Sequence, residues 1–159
     1  MKKVRVGKLI VSILVPLAVG IISTALTWEG MKAYREMNKP PLAPAAWVFP
    51  IAWTILYIMM GIASYLIIVA EDDSKLKCSA FAIYITQLAM NFAWSLIFFN
   101  SKVLLFAFVW LIIMWLLVII DTFKFYKICK LAAYMMIPYI VWLTFAAYLN
   151  LGAYLLNRV

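Results

Sequence analysis

Five long apolar stretches, with charge confined almost wholly to the gaps between them, constrain this chain more than any other feature. They cover residues 6–27, 46–70, 78–99, 103–120 and 131–156. Each reaches or approaches the roughly 20 residues an α-helix needs to cross the hydrocarbon of a bilayer. Of the 159 residues 69% are hydrophobic and only 13% charged, with a mean hydropathy of +1.05. A soluble domain is about half apolar, and no core of this size could absorb the excess. Lipid is therefore the solvent. A backbone in lipid must satisfy its own hydrogen bonds, so the spans are helices. The reading is an all-α integral membrane bundle of five transmembrane helices, one domain over residues 1–159.

The gap at residues 28–45 is the only long one, and the gap at 100–102 is so short that spans three and four must be antiparallel neighbours. Lys2, Lys3, Arg5 and Lys8 stand at the start of the first span as the basic region of a signal peptide would. The apolar run from Leu9 to Thr27 is longer than the roughly 7–15 residues of such a peptide and ends without an A-x-A site, so it is expected to be a retained helix. Lys and Arg number nine on the N-terminal side of the bundle and five on the other. That bias predicts a cytoplasmic N-terminus, with the 28–45 gap and the C-terminus outside.

Absences narrow the chemistry. Histidine is missing, which excludes His-ligated haem and Ser-His triads. Cys78 and Cys129 both fall at the cytoplasmic end, where thiols stay reduced, and two cysteines make no metal site. The net charge of +8 sits in short loops and termini, which points to anionic headgroups rather than nucleic acid. Apart from Lys8 in the first turn of span one, no charged residue falls inside a span, Asp121 standing at an edge. Ion-coupled transporters use such groups, so an energised transporter is disfavoured.

The polar residues that do enter the spans form stripes. Gln87, Asn91, Trp94, Ser95 and Phe98 share one face of span three, which must point into the bundle as interhelical glue, a ligand wall, or both. In span five Pro138, Trp142, Phe145, Ala146, Leu149 and Asn150 recur at three- and four-residue steps, and Pro138 is expected to kink the helix. Span two carries Trp53, Tyr57, Gly61 and Ser64, and span one the small residues Gly20, Ser23, Thr24 and Ala25. Span four, polar only at Trp110 and Trp115, reads as mostly lipid-facing.

Between Asn38 and Tyr65 a loop stiffened by Pro40, Pro41 and Pro44 runs into a helix whose mouth and first turns carry Trp47, Phe49, Trp53 and Tyr57. A rigid loop over an aromatic cluster suits a flat, apolar ligand. The aromatic faces of Trp47, Trp53, Trp142 and Phe145 would stack on such a ligand. Lys32, Arg35 and Lys39 either meet its acidic groups or serve as ordinary interfacial cations.

These motifs together resemble the TspO/MBR family, the tryptophan-rich sensory and translocator proteins. Lys39-Pro40-Pro41, Pro44, Trp47, Trp53, Leu56-Tyr57 and Gly61 are similar to its first loop and second helix. The run Gln87, Asn91, Trp94 and Phe98-Phe99 is similar to its third helix. Pro138-Tyr139, Trp142, Phe145-Ala146 and Leu149-Asn150 are similar to its fifth. The chain departs from the pattern at Leu42 and at Pro44-Ala45, where the family often has an aromatic and a second proline pair. A sterol-type pattern is matched by Leu151, Tyr154 and Arg158, which read equally well as interfacial residues.

The resemblance implies porphyrin binding, and binding of isoquinoline- and benzodiazepine-type ligands, in a pocket under the first loop. The expected ligand-binding set is Lys39, Trp47, Phe49, Trp53, Tyr57, Gln87, Asn91, Trp94, Trp142, Phe145, Ala146 and Asn150. Bacterial members of the family are associated with tetrapyrrole handling, stress responses and light- and oxygen-dependent breakdown of protoporphyrin. Trp53 and Trp142 would then be the redox-active pair, with no metal and no required cofactor, and the protein would be a homodimer in a bacterial cell membrane. The alternatives are a passive translocator of porphyrin or another lipophile, and a ligand-responsive signalling protein.

Overall fold

A computed structural model describes residues 4–71 and 75–157. Lys2, Lys3 and Arg158, which entered the charge count and the sterol pattern, lie outside the described residues. Six α-helices account for nearly all of the described chain: α1 Val6–Leu26, α2 Trp28–Glu36, α3 Val48–Val69, α4 Lys75–Ser95, α5 Leu104–Ile128 and α6 Lys130–Asn157. A π-helical turn, Leu96–Ser101, prolongs α4. Every helix but α2 is long and apolar enough to span a membrane, the third span being Lys75–Ser101. The protein is a multi-pass integral membrane bundle.

The five spans pack in a ring: α1 on α3, α3 on α6, α6 on α5, α5 on α4, and α4 more thinly back on α1. Where α1 and α3 cross, their backbones nearly touch. A Cβ on Gly61 would lie 2.6 Å from the Ile13 Cα and 2.8 Å from the Ser12 carbonyl oxygen, so only glycine permits this approach. Lys102 turns the chain from the third span into α5 in the left-handed region, with φ 56°.

Two elements differ from the sequence reading. The segment read as a long connection contains α2, nine residues joined to α1 only through Thr27. Thr27 is itself buried, its hydroxyl donating to the Ser23 carbonyl at 2.8 Å. The fourth span does not end at Ile120 but continues two further turns to Ile128. Its buried stripe, Leu104, Ala107, Leu111, Met114 and Val118, carries on through Asp121 and Phe125, so Asp121 lies inside the helix and fully buried rather than at its edge. Lys124 reaches across to the Ser79 hydroxyl on α4, which is how a charge one turn further on is accommodated. The opposite face, with Leu105, Phe106, Val109 and Ile113, is exposed to lipid, so α5 is two-faced rather than mostly lipid-facing.

Candidate functional site

A cavity of about 540 Å³ opens at the end of the bundle that carries α2 and the proline loop. One wall comes from α3, where Trp53 stacks on Tyr57 with ring centroids 5.4 Å apart. Across from it α6 presents Trp142, edge-on to Trp53 at 6.4 Å and to Phe49 at 6.1 Å, with Ala146 and Asn150 one and two turns on. The third span contributes Trp94 stacked on Phe98 at 5.1 Å, and Phe99 edge-on to Phe98 at 4.9 Å. From α1 come the small faces of Gly20, Ser23 and Thr24. These rings occur at helical repeats because each span buries one stripe against its neighbours.

The roof is α2 and the loop after it. Trp28, Met31 and Tyr34 recur every three residues and line the chamber, Tyr34 resting edge-on against Phe98 at 5.4 Å and Phe99 at 5.8 Å. Burial lifts the Tyr34 phenol above its ordinary range, so it remains a neutral donor. The loop is pinned to the end of α6 at three places. Asn157 accepts from the Asn38 N–H at 3.0 Å and donates to the Asn38 carbonyl at 2.8 Å. The Tyr148 hydroxyl donates to the Pro41 carbonyl at 2.6 Å. Pro40 is buried over Gly152, where an added Cβ would lie 2.5 Å from the proline ring. On the other side Asn100 donates to the Leu26 carbonyl at 3.0 Å and ties the α1–α2 corner to the third span.

Beneath the cavity lies a closed polar floor. Tyr57 donates to Asn91 at 2.7 Å, Asn91 donates to the Tyr139 hydroxyl at 3.1 Å, and Tyr139 donates to Gln87 at 3.1 Å. Trp94 donates to Asn150 at 3.3 Å, and Asn150 to the Leu104 carbonyl at 2.8 Å. Two buried donors of this region, Trp142 Nε1 and Gln87 Nε2, have no partner among the described residues. Such groups carry a desolvation cost until something accepts from them.

Of the twelve expected ligand-binding residues, eight line the cavity: Lys39, Phe49, Trp53, Tyr57, Trp94, Trp142, Ala146 and Asn150. Gln87 and Asn91 sit below it in the hydrogen-bonded floor. Trp47 is 67% exposed at the start of α3 and is not in the wall. Phe145 turns to an outer groove between α3 and α6, alongside Ala52, Ile55 and Val141, and touches the cavity only through Trp142, 5.8 Å away. The sequence reading had no place for the α2 face or for Leu17 on α1. The three-residue spacing of Trp28, Met31 and Tyr34 was the available signal.

The TspO/MBR family profile matches residues 12–155. The chain is 37% identical over 155 residues to the tryptophan-rich protein TspO of Archaeoglobus fulgidus, covering 94% of this chain and 97% of that one. It is 36% identical over 124 residues to the tryptophan-rich sensory protein of Cereibacter sphaeroides, covering 78% and 76%. To the human translocator protein it is 34% identical over 123 residues, covering 77% and 73%.

Proposed function

The chain belongs to the TspO/MBR family, and from that premise we propose that it binds a porphyrin within its bundle and promotes the pigment's light- and oxygen-dependent degradation. The observation that carries this reading is the cavity: about 540 Å³, within the range that encloses drug-sized ligands, and walled by indole and phenyl faces from three spans. Isoquinoline- and benzodiazepine-type ligands share the flat apolar shape and would compete for the same space. Trp53 and Trp142 lie close enough to a bound macrocycle to quench or reduce its excited state. Dioxygen is the terminal oxidant and light the energy source, so no metal or nucleotide is required. With no histidine to ligate iron, metal-free protoporphyrin is the better substrate than haem.

The floor favours a receptor over a through-channel. Below the Tyr57–Asn91–Tyr139–Gln87 chain the bundle is filled by fully buried Met60, Tyr84, Met114 and Met136, leaving a one-sided pocket. The test is to illuminate the purified protein with protoporphyrin and follow the pigment spectrum against a protein-free control. Trp53→Phe and Trp142→Phe should retain most binding yet slow pigment loss, because phenylalanine keeps an aromatic face and resists oxidation. Wild-type rates in both variants would reduce the tryptophans to pocket walls and return the protein to a binding or translocating role. We further propose a homodimer packed through apolar helix faces and a cytoplasmic N-terminus. A monodisperse monomer in both mild detergent and nanodiscs would overturn the first, and outside-only labelling of a cysteine placed at Val4 the second.

A further inference from the structure

We propose that the cavity mouth selects ligands by their carboxylates, with Arg35 and Lys39 as the specificity-determining pair. This rests on the porphyrin reading and names the part of the molecule the walls leave unread. Arg35 and Lys39 are the charged residues among those lining the cavity, and both belong to its roof. Among the described residues no carboxylate lines it. The other cation of α2, Lys32, does not line the cavity: it pairs with Glu29 at 2.8 Å and lies over the Trp28 ring at 5.8 Å. The Arg35 guanidinium, a fork of five donors, has no hydrogen-bond or ion-pair partner among the described residues, and the residue lines the apolar chamber. Lys39 is already oriented. Its ammonium donates one bond to the Arg35 carbonyl at 2.8 Å and sits over the Tyr34 ring at 5.5 Å, which leaves two donors.

A ligand with an apolar body and acidic groups along one edge satisfies both halves of this arrangement. Its rings enter among Trp53, Trp94 and Trp142, and its carboxylates remain at the mouth, where two cations of different geometry receive them. Arginine takes a carboxylate through two parallel bonds and lysine takes one as a point charge. A ligand without acids would fill the chamber and leave both cations to water.

The experiment compares protoporphyrin, a dicarboxylic acid, with its dimethyl ester. Each is titrated into the full-length protein in nanodiscs of zwitterionic lipid, with tryptophan quenching as the readout. The acid should bind the wild type about tenfold more tightly than the ester. In Arg35→Gln and Lys39→Gln the acid should fall toward the ester's affinity while the ester's own affinity stays put. Lys32→Gln, which removes a neighbouring charge outside the cavity, should change neither. Equal affinity of acid and ester for the wild type overturns the proposal and leaves porphyrin binding standing. An equal loss in Lys32→Gln overturns it too, by reducing the effect to general surface charge. If neither pigment binds, the porphyrin reading falls first and this inference with it.

Discussion

The two ends of this bundle are built from the same kinds of residue and behave as opposites. At the α2 end, indole and phenyl rings stand around an open chamber under a roof of nine helical residues and a proline loop. At the other end, side chains of the same bulk interlock: Met60, Ile67, Tyr84, Phe125 and Met136 are all fully buried, and Tyr84 stacks on Phe125 at 6.1 Å. The open end carries the one long connection of the bundle. Where α5 meets α6, a single residue, Cys129, joins the spans and they pack closely. Where α1 meets α3, an extra helix and loop span the gap and the space beneath stays unfilled. One end is thus tightly packed and the other open.

The comparison is broken most strongly by forcing the packed end apart. Gly61→Val places carbon inside the contact with the Ile13 backbone, and backbone cannot step aside as a rotamer can. Such overpacking costs ~3 kcal/mol, read as a lowered midpoint in SDS-induced unfolding. An unchanged midpoint would mean that α1 is not held at this crossing. Tyr139→Phe acts at the boundary between the ends. It strips Asn91 and Gln87 of their shared hydroxyl in a fully buried place, where orphaned polar groups cost ~2 kcal/mol. Stability should fall by somewhat less than in the glycine variant, and an equal or larger loss would make the floor, not the crossing, the main clamp.

The packed end was the more legible of the two in the sequence. Lipid admits only self-satisfied helices, so apolar length alone predicts the five spans, and the stripe through Trp53 and Tyr57 or Trp142 and Ala146 predicts which faces meet. The departures have physical causes. Asp121, Lys124 and Lys127 look like the end of a span, but helix α5 runs on because its buried stripe passes through Asp121 and Lys124 finds Ser79. Helix α2 is too short and too polar to announce itself by hydropathy. Phe145 follows Trp142 by three residues, about 60° short of a full turn, which carries it past the edge of the stripe and onto the outer groove. Trp47 precedes its helix, so periodicity says nothing about its direction. Gln87 and Asn91 lie on the correct face, but their depth was set by Tyr139, whose hydroxyl takes up both amides. A stripe gives direction and not depth.

Substitutions at the open end should spare stability and touch exchange. Ala146 is nearly buried in the cavity wall. Ala146→Phe projects a ring into the chamber, and protoporphyrin affinity should drop about tenfold, or ~1.4 kcal/mol. The unfolding midpoint should stay at the wild-type value. A fall in both would show that the cavity is a packed region after all and would erase the distinction between the ends.

The gentlest test addresses the roof alone. Asn157 holds the loop through two bonds to Asn38, both exposed to solvent, where water replaces what is lost. Asn157→Ala should therefore cost no more than ~0.5 kcal/mol of global stability. Its effect should appear in rates. With Tyr148 and Gly152 still in place, the loop keeps its seat on α6 but opens more often. Association and dissociation of ligand should both rise several-fold while their ratio, the Kd, stays near the wild-type value. Stopped-flow quenching of tryptophan gives the rates, and amide hydrogen exchange over residues 38–43 gives the opening directly. Faster exchange at those amides with unchanged ligand rates would mean that ligand does not pass under the loop. It would then have to enter from the side, between spans.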